Sequence, residues 1–83
     1  MEGKNMPHIS VKMLQGRSEA QKEKLAAALV KTLTEQLGCS DHYVTCTVED
    51  FDAKEWQDVF KTDIEGKKDK LYKKAEYDPK SLL

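Results

Sequence analysis

The sequence predicts an α/β fold: a β-α-β unit followed by a second, C-terminal helix. A period-two alternation precedes a long apolar stripe at helical spacing, and a run rich in β-branched residues follows that stripe. Beyond that run, a capping signal precedes a further set of apolar residues at helical spacing. Because 83 residues suffice for one small domain, we interpret residues 6–83 as a single domain.

The first strand is predicted over residues 8–14. Ile9, Val11 and Met13 alternate there with polar side chains, a pattern typical of a strand with one buried face. Residues 15–17 then turn the chain towards the first helix.

The first helix is predicted to begin at Glu19. Ser18 and Gln21 have the spacing of a capping box, in which each side chain bonds the backbone amide of the other residue. Gly38 is a suitable left-handed cap at the other end. The helix carries one apolar stripe, formed by Leu25, Ala26, Leu29, Val30, Leu33 and Leu37.

The second strand is predicted over residues 43–48, where β-branched and aromatic residues are concentrated. A strand, a helix and a second strand of this length form a β-α-β unit. Such a connection is almost always right-handed with parallel strands, so we expect the helix to cover one face of the sheet.

The second helix is predicted to begin after Asp52, a suitable N-cap. Apolar residues follow at helical spacing up to Ile64, and Gly66 weakens or ends the helix. The lysine-rich residues 67–74 are interpreted as a solvated helix face or frayed tail rather than a phosphate-binding patch. Residues 77–80 are predicted to form a turn.

The predicted sheet is too small to stand alone. Two strands leave both sheet edges without hydrogen-bonding partners, and pairing with another copy would satisfy them. We therefore expect oligomerisation to complete the sheet. A homodimer is preferred because of the long C-terminal segment, and a hexamer built as a trimer of dimers is the alternative.

Composition excludes several partners. The net charge is -1 with 35% charged residues, which indicates a balanced surface and no nucleic-acid partner. No segment has the length of a membrane span, and residues 1–5 lack the apolar core of a signal peptide. We expect a cytoplasmic protein with reduced thiols at Cys39 and Cys46, neither of which has metal-ligand spacing.

Pro7 has two possible chemistries, depending on what precedes it. A proline at a free amino terminus is a secondary amine that can take a proton from carbon next to a carbonyl. With residues 1–5 and Met6 attached, the same nitrogen is a tertiary amide without useful basicity. The sequence does not decide whether residues 1–5 are a native extension or a cloning remnant.

Several short motifs together resemble the 4-oxalocrotonate tautomerase family of the tautomerase superfamily. They are the run Met6-Pro7-His8-Ile9, the turn Gly16-Arg17-Ser18 leading into a helix with Gln21-Lys22, and the short β-α-β unit. Trp56 and the long C-terminal tail most resemble the dimeric bacterial tautomerases that act on phenylpyruvate.

The resemblance implies roles for four residues. Pro7 would be the general base, Arg17 would engage a substrate carboxylate or carbonyl, and Trp56 would form an apolar wall of the pocket. Thr45 stands where 4-oxalocrotonate tautomerase itself has a second arginine, so a monocarboxylate 2-keto or enol acid fits better than a dicarboxylate. No metal or organic cofactor is required.

These roles are chemically coherent, because an apolar wall and a nearby guanidinium both lower the pKa of an amine. Without the resemblance, however, each residue has a structural interpretation. Pro7 would be an edge-compatible strand starter, Arg17 a solvated surface residue, and Trp56 a core or interface residue. His8, on the polar face of the first strand, would contact only solvent or a partner.

Two further functions stay open at this point. One is a non-catalytic oligomeric binding module in which residues 1–5 block Pro7. The other is a promiscuous hydratase or dehalogenase of the same superfamily, with a protonated Pro7 acting as an acid. The absence of an evident water-activating carboxylate argues mildly against the second.

Overall fold

A computed structural model describes residues 6–83 of the chain, and the predicted extension at residues 1–5 lies outside this range. The elements are β1 (His8–Leu14), α1 (Glu19–Leu37), β2 (Thr45–Phe51) and α2 (Ala53–Val59), followed by π- and 3₁₀-helical segments. This order confirms the predicted β-α-β unit with a further C-terminal helix. Within the described residues the chain divides into two compact units, one formed by residues 6–11 and 16–49, the other by residues 12–15 and 50–83.

β1 and β2 pair directly in a two-stranded sheet. The Thr45 amide donates to the Pro7 carbonyl over 3.3 Å at one end, and the Gln15 amide donates to the Phe51 carbonyl over 2.9 Å at the other. Since partner numbers rise together along both strands, the strands are parallel, as predicted. No third strand joins them in the part of the chain that the structure describes.

The predicted bounds of β1 are confirmed, whereas those of β2 are displaced. We predicted residues 43–48, but β2 runs over Thr45–Phe51. The segment Asp41–Tyr43 instead forms a 3₁₀ turn, in which the His42 amide donates to Ser40 Oγ over 3.1 Å. This serine cap takes the chain out of extended conformation before the strand begins, despite the strand-like composition of residues 43 and 44.

α1 begins and ends where the sequence predicts. The Gln21 amide donates to Ser18 Oγ over 3.1 Å, and the Ser18 amide donates to Gln21 Oε1 over 2.9 Å, which completes the capping box. At the other end Gly38 adopts φ 66° and ψ 31° and donates its amide to the Thr34 carbonyl over 2.8 Å. Both helix ends are therefore encoded locally.

The helix-covered face of the first unit is apolar but thinly packed. Ile9 of β1 lines an open groove with Leu29, Leu33 and Leu37 of α1. Farther along the sheet, Val48 of β2 lines a second cleft with α1. No residue of α1 is buried, so residues of the predicted apolar stripe line these open grooves without forming a closed core.

The second unit contains the two buried residues among those the structure describes, Val59 and Phe60, each 8% exposed. Asp52 caps α2 by accepting from the Glu55 amide over 2.7 Å, and the Glu55 side chain accepts from the Asp52 amide over 2.8 Å. The predicted helix does not continue as one α-helix to Ile64. It becomes π-helical over Phe60–Ile64 and 3₁₀ over Glu65–Lys70, which contains a non-helical residue, Lys67.

The C-terminal segment contains a short helical turn. Pro79–Leu82 is 3₁₀-helical, and Asp78 caps it by accepting from the Lys80 amide over 3.0 Å. This turn lies where the sequence predicted one. The lysines of residues 67–70 are exposed, in keeping with a solvated surface rather than a packed helix.

Candidate active site

Pro7 directly precedes β1 and is half-buried in the first unit. Its carbonyl accepts the Thr45 amide, so the start of β2 is fixed beside it. In a parallel ladder this bond places His8 opposite Thr45, and the two side chains meet with His8 Nδ1 2.6 Å from Thr45 Oγ1. The structure therefore brings Pro7 and Thr45 together, and adds His8 to them.

The nitrogen of Pro7 is bonded to Met6 in the 83-residue chain. In that form it is an amide nitrogen, which neither donates nor usefully accepts a proton. Removal of residues 1–6 would convert it to a secondary amine, and the Pro7 carbonyl that accepts the Thr45 amide is not part of the peptide bond that this removal breaks.

Arg17, the only arginine in the sequence, lies in the connection between β1 and α1, next to the N-cap Ser18. The preceding Gly16 adopts φ 130°, a conformation that residues with a Cβ rarely adopt. Arg17 is exposed and takes part in none of the hydrogen bonds or ion pairs between the described residues. Its guanidinium is therefore available to an anionic ligand, and it shares a compact unit with Pro7 and Thr45.

Trp56 lies in α2 and belongs to the second unit. Its side chain is half-buried, and its indole N–H donates to Tyr77 Oη over 3.0 Å. The ring also meets Phe51 edge-on, with centroids 6.4 Å apart. Trp56 is thus part of an aromatic group within its own unit. Its role as a wall of the substrate pocket stays a prediction.

Comparison with known proteins decides the family. The model of a family described as tautomerase enzyme matches residues 7–64. This chain belongs to the tautomerase family. It is also 40% identical over 73 residues to a probable tautomerase of Xylella fastidiosa (strain 9a5c), an alignment that covers 87% of this chain and 89% of that protein.

These findings confirm that the protein is an isomerase of the tautomerase superfamily. The resemblance to its 4-oxalocrotonate tautomerase-like members is confirmed as well. The closer resemblance to phenylpyruvate tautomerases, the role of Pro7 as base, and the roles of Arg17, Thr45 and Trp56 stay predictions.

Sequence reasoning missed two contacts of this tautomerase. His8 was assigned to solvent or a partner, but it pairs with Thr45. The strand register that brings these two residues together is not encoded by a local pattern, and β2 was predicted to start too early. The hydrogen bond from Trp56 to Tyr77 joins residues that are 21 positions apart in the sequence, and no local sequence pattern predicts it.

Within residues 6–83, no group of three or more histidine, cysteine or acidic residues is arranged to hold a metal ion. Cys39 and Cys46 are free and half-buried. No helix in the described range is long and apolar enough to cross a membrane.

Proposed function

We propose that this protein is a cofactor-free keto-enol tautomerase for a small 2-keto or enol carboxylic acid of the phenylpyruvate type. Pro7 acts as general base after the preceding residues have been removed. The observation that carries this proposal is the match to the tautomerase family over residues 7–64, which begins at Pro7, whose nitrogen becomes a secondary amine when it is the amino terminus.

The proposed reaction moves one proton and changes no oxidation state. In the direction from enol to ketone, the O–H bond at C2 breaks and a C–H bond forms at C3, while the double bond shifts from C2–C3 to C2–O. The neutral Pro7 amine accepts the proton, and the resulting ammonium returns a proton to carbon.

Arg17 is proposed to bind the substrate carboxylate. Its fork of N–H donors matches a carboxylate in a bidentate arrangement and also stabilises negative charge on the developing enolate oxygen. Its exposure and lack of a partner among the described residues support this assignment. Thr45 supplies a neutral group beside Pro7, which favours a monocarboxylate, and Trp56 supplies an apolar wall for an aromatic or alkyl body.

We further propose that the active species is a cytoplasmic homodimer, with a hexamer as the alternative assembly. The open two-stranded sheet and the presence of only two buried residues in the described part of the chain support association. Exposed leucines at positions 37, 82 and 83 supply apolar surface for it.

The test is the conversion of phenylpyruvate enol to ketone, followed by ultraviolet absorbance. Two preparations are compared, the 83-residue chain and a form processed to begin at Pro7, with intact mass confirming each amino terminus. Activity confined to the processed form is the expected result. A third preparation, the processed Pro7→Ala variant, should lose most of the activity.

Equal activity in the blocked and processed forms would remove the Pro7 amine from the mechanism. Activity in neither form would reject phenylpyruvate as a substrate. If that failure extends to other 2-keto acids while the protein binds them, the binding-module interpretation replaces the catalytic one.

A further inference from the structure

The C-terminal segment approaches Trp56 through two neighbouring residues. Tyr77 Oη accepts the indole N–H of Trp56 over 3.0 Å. Two residues farther along, the Pro79 carbonyl accepts from Gln57 Nε2 over 2.8 Å. Trp56 and Gln57 are consecutive in α2, so the segment is bonded to the helix at two adjacent points.

Tyr77 is itself held in place on a second side. Its ring meets the Phe60 ring edge-on, with centroids 5.6 Å apart and planes inclined at 74°, an arrangement that aromatic pairs favour. Phe60 is only 8% exposed, so it provides a fixed surface. The hydroxyl that receives the Trp56 N–H therefore has a defined position.

The indole N–H of Trp56 can only donate a hydrogen bond. Loss of its acceptor would leave a half-buried indole free to rotate about its side-chain bonds or to seek water. Tyr77 thus fixes the orientation of the Trp56 ring plane. Residues 77–79 lie beyond the segment matched by the tautomerase family model, which ends at residue 64, so this constraint comes from a part of the chain that the match does not include.

We propose that Tyr77 is a positioning residue that sets the preference of the enzyme for substrates with an aromatic body. It acts through Trp56, whose indole face would contact that body, and the inference rests on the proposed function of Trp56 as a pocket wall. Substrates without a ring gain less from the indole plane, so they depend less on Tyr77.

The test variant is Tyr77→Phe, which keeps the ring against Phe60 and removes only the acceptor. We expect KM for phenylpyruvate enol to rise about three- to tenfold with kcat nearly unchanged, the change that loss of one hydrogen bond at a binding surface produces. KM for a short alkyl 2-keto acid should change less than about twofold.

The matched control is Tyr72→Phe, because Tyr72 is fully exposed. This variant should leave both KM values unchanged. Since Trp56 is the only tryptophan, its fluorescence reports directly on its surroundings. Tyr77→Phe should shift the emission and Tyr72→Phe should not, with thermal unfolding confirming that both variants fold.

A double-mutant cycle with Trp56→Phe tests whether Tyr77 acts through Trp56. In that background Tyr77→Phe should have no further effect on KM. An undiminished effect would overturn the proposal, as would an unchanged KM for phenylpyruvate enol in the single variant. Inactivity of the unsubstituted, processed enzyme would instead reject the proposed function, so the two failures are distinguishable.

Discussion

His8 and Thr45 form a cross-strand pair beside Pro7, with Nδ1 of the imidazole 2.6 Å from Oγ1 of the threonine. The Thr45 amide is at the same time bonded to the Pro7 carbonyl. Position 45 thus contacts both of the first two residues that a processed chain would contain. The pair presents a hydroxyl and an imidazole at the position where, by the family resemblance, 4-oxalocrotonate tautomerase carries a guanidinium.

The first prediction follows from the presence of threonine rather than arginine at position 45. Thr45→Arg should add a bidentate carboxylate ligand and lower KM for a dicarboxylate enol acid by roughly 10- to 100-fold, as expected for a charge-assisted hydrogen bond. KM for phenylpyruvate enol should not improve. Steady-state kinetics of the processed enzyme with both substrates measure the difference.

Thr45→Val is the matched control, because it keeps the shape of the side chain and removes the hydroxyl that meets His8. It should leave the preference for monocarboxylates intact. If Thr45→Val gains dicarboxylate activity as Thr45→Arg does, loss of the His8 contact rather than the added charge would explain the change.

The second prediction concerns Arg17. Arg17→Ala should lower kcat/KM for phenylpyruvate enol by about 100-fold, because the substrate carboxylate and the developing enolate lose their counter-charge. Arg17→Lys should recover part of that loss, since it restores charge without the planar fork. Lys24→Ala, which removes an exposed cation from α1, is the control, and an equal loss in this variant would indicate a general electrostatic effect.

The third prediction concerns pH. A base works only when unprotonated, so kcat/KM of the processed enzyme should rise with pH through the titration of the Pro7 amine and then level off. The measurement is a pH profile over the range in which the enzyme stays folded. A profile independent of pH, or one that falls as pH rises over the same interval, would contradict the assignment of Pro7 as base.

Much of the fold was predictable because its signals are local. Each end of α1 is determined by residues that are close together in the sequence. Its start is set by the capping box of Ser18 and Gln21, and its end by the left-handed Gly38. The start of β2 was not predictable by composition, because the turn capped by Ser40 competes with the strand preference of residues 43 and 44. Hydrogen bonding by a short polar side chain outweighed β-propensity there.

The positions of the candidate site residues in the fold were predictable in part, for the same physical reason. Pro7 and Arg17 stand in short motifs, and their positions before β1 and before α1 follow from local structure. By contrast, His8 and Thr45 are separated by 37 positions in the sequence. Trp56 and Tyr77 are separated by 21 positions. Such pairs depend on the register of the two strands and on the course of the C-terminal segment, which local sequence patterns do not encode.

The fourth prediction tests the cap of α1. Ser18→Ala removes the acceptor for the Gln21 amide and should lower the free energy of unfolding by about 1 kcal/mol. Denaturant unfolding at one fixed protein concentration measures this, since association would otherwise shift the midpoint. Ser10→Ala, at an exposed position of β1, should change stability by less than about 0.5 kcal/mol, and an equal loss there would remove the cap as the cause.

The fifth prediction tests the other end of the same helix. Gly38 adopts φ 66°, and a Cβ added there would meet nothing within 4 Å. The cost of Gly38→Ala should therefore come from backbone conformation alone, about 1 to 2 kcal/mol. Gly38→Asn should cost less, because asparagine tolerates the left-handed region better than alanine. Denaturant unfolding of both variants measures the order, and alanine proving as stable as asparagine would show that the left-handed conformation is not retained when residue 38 is substituted.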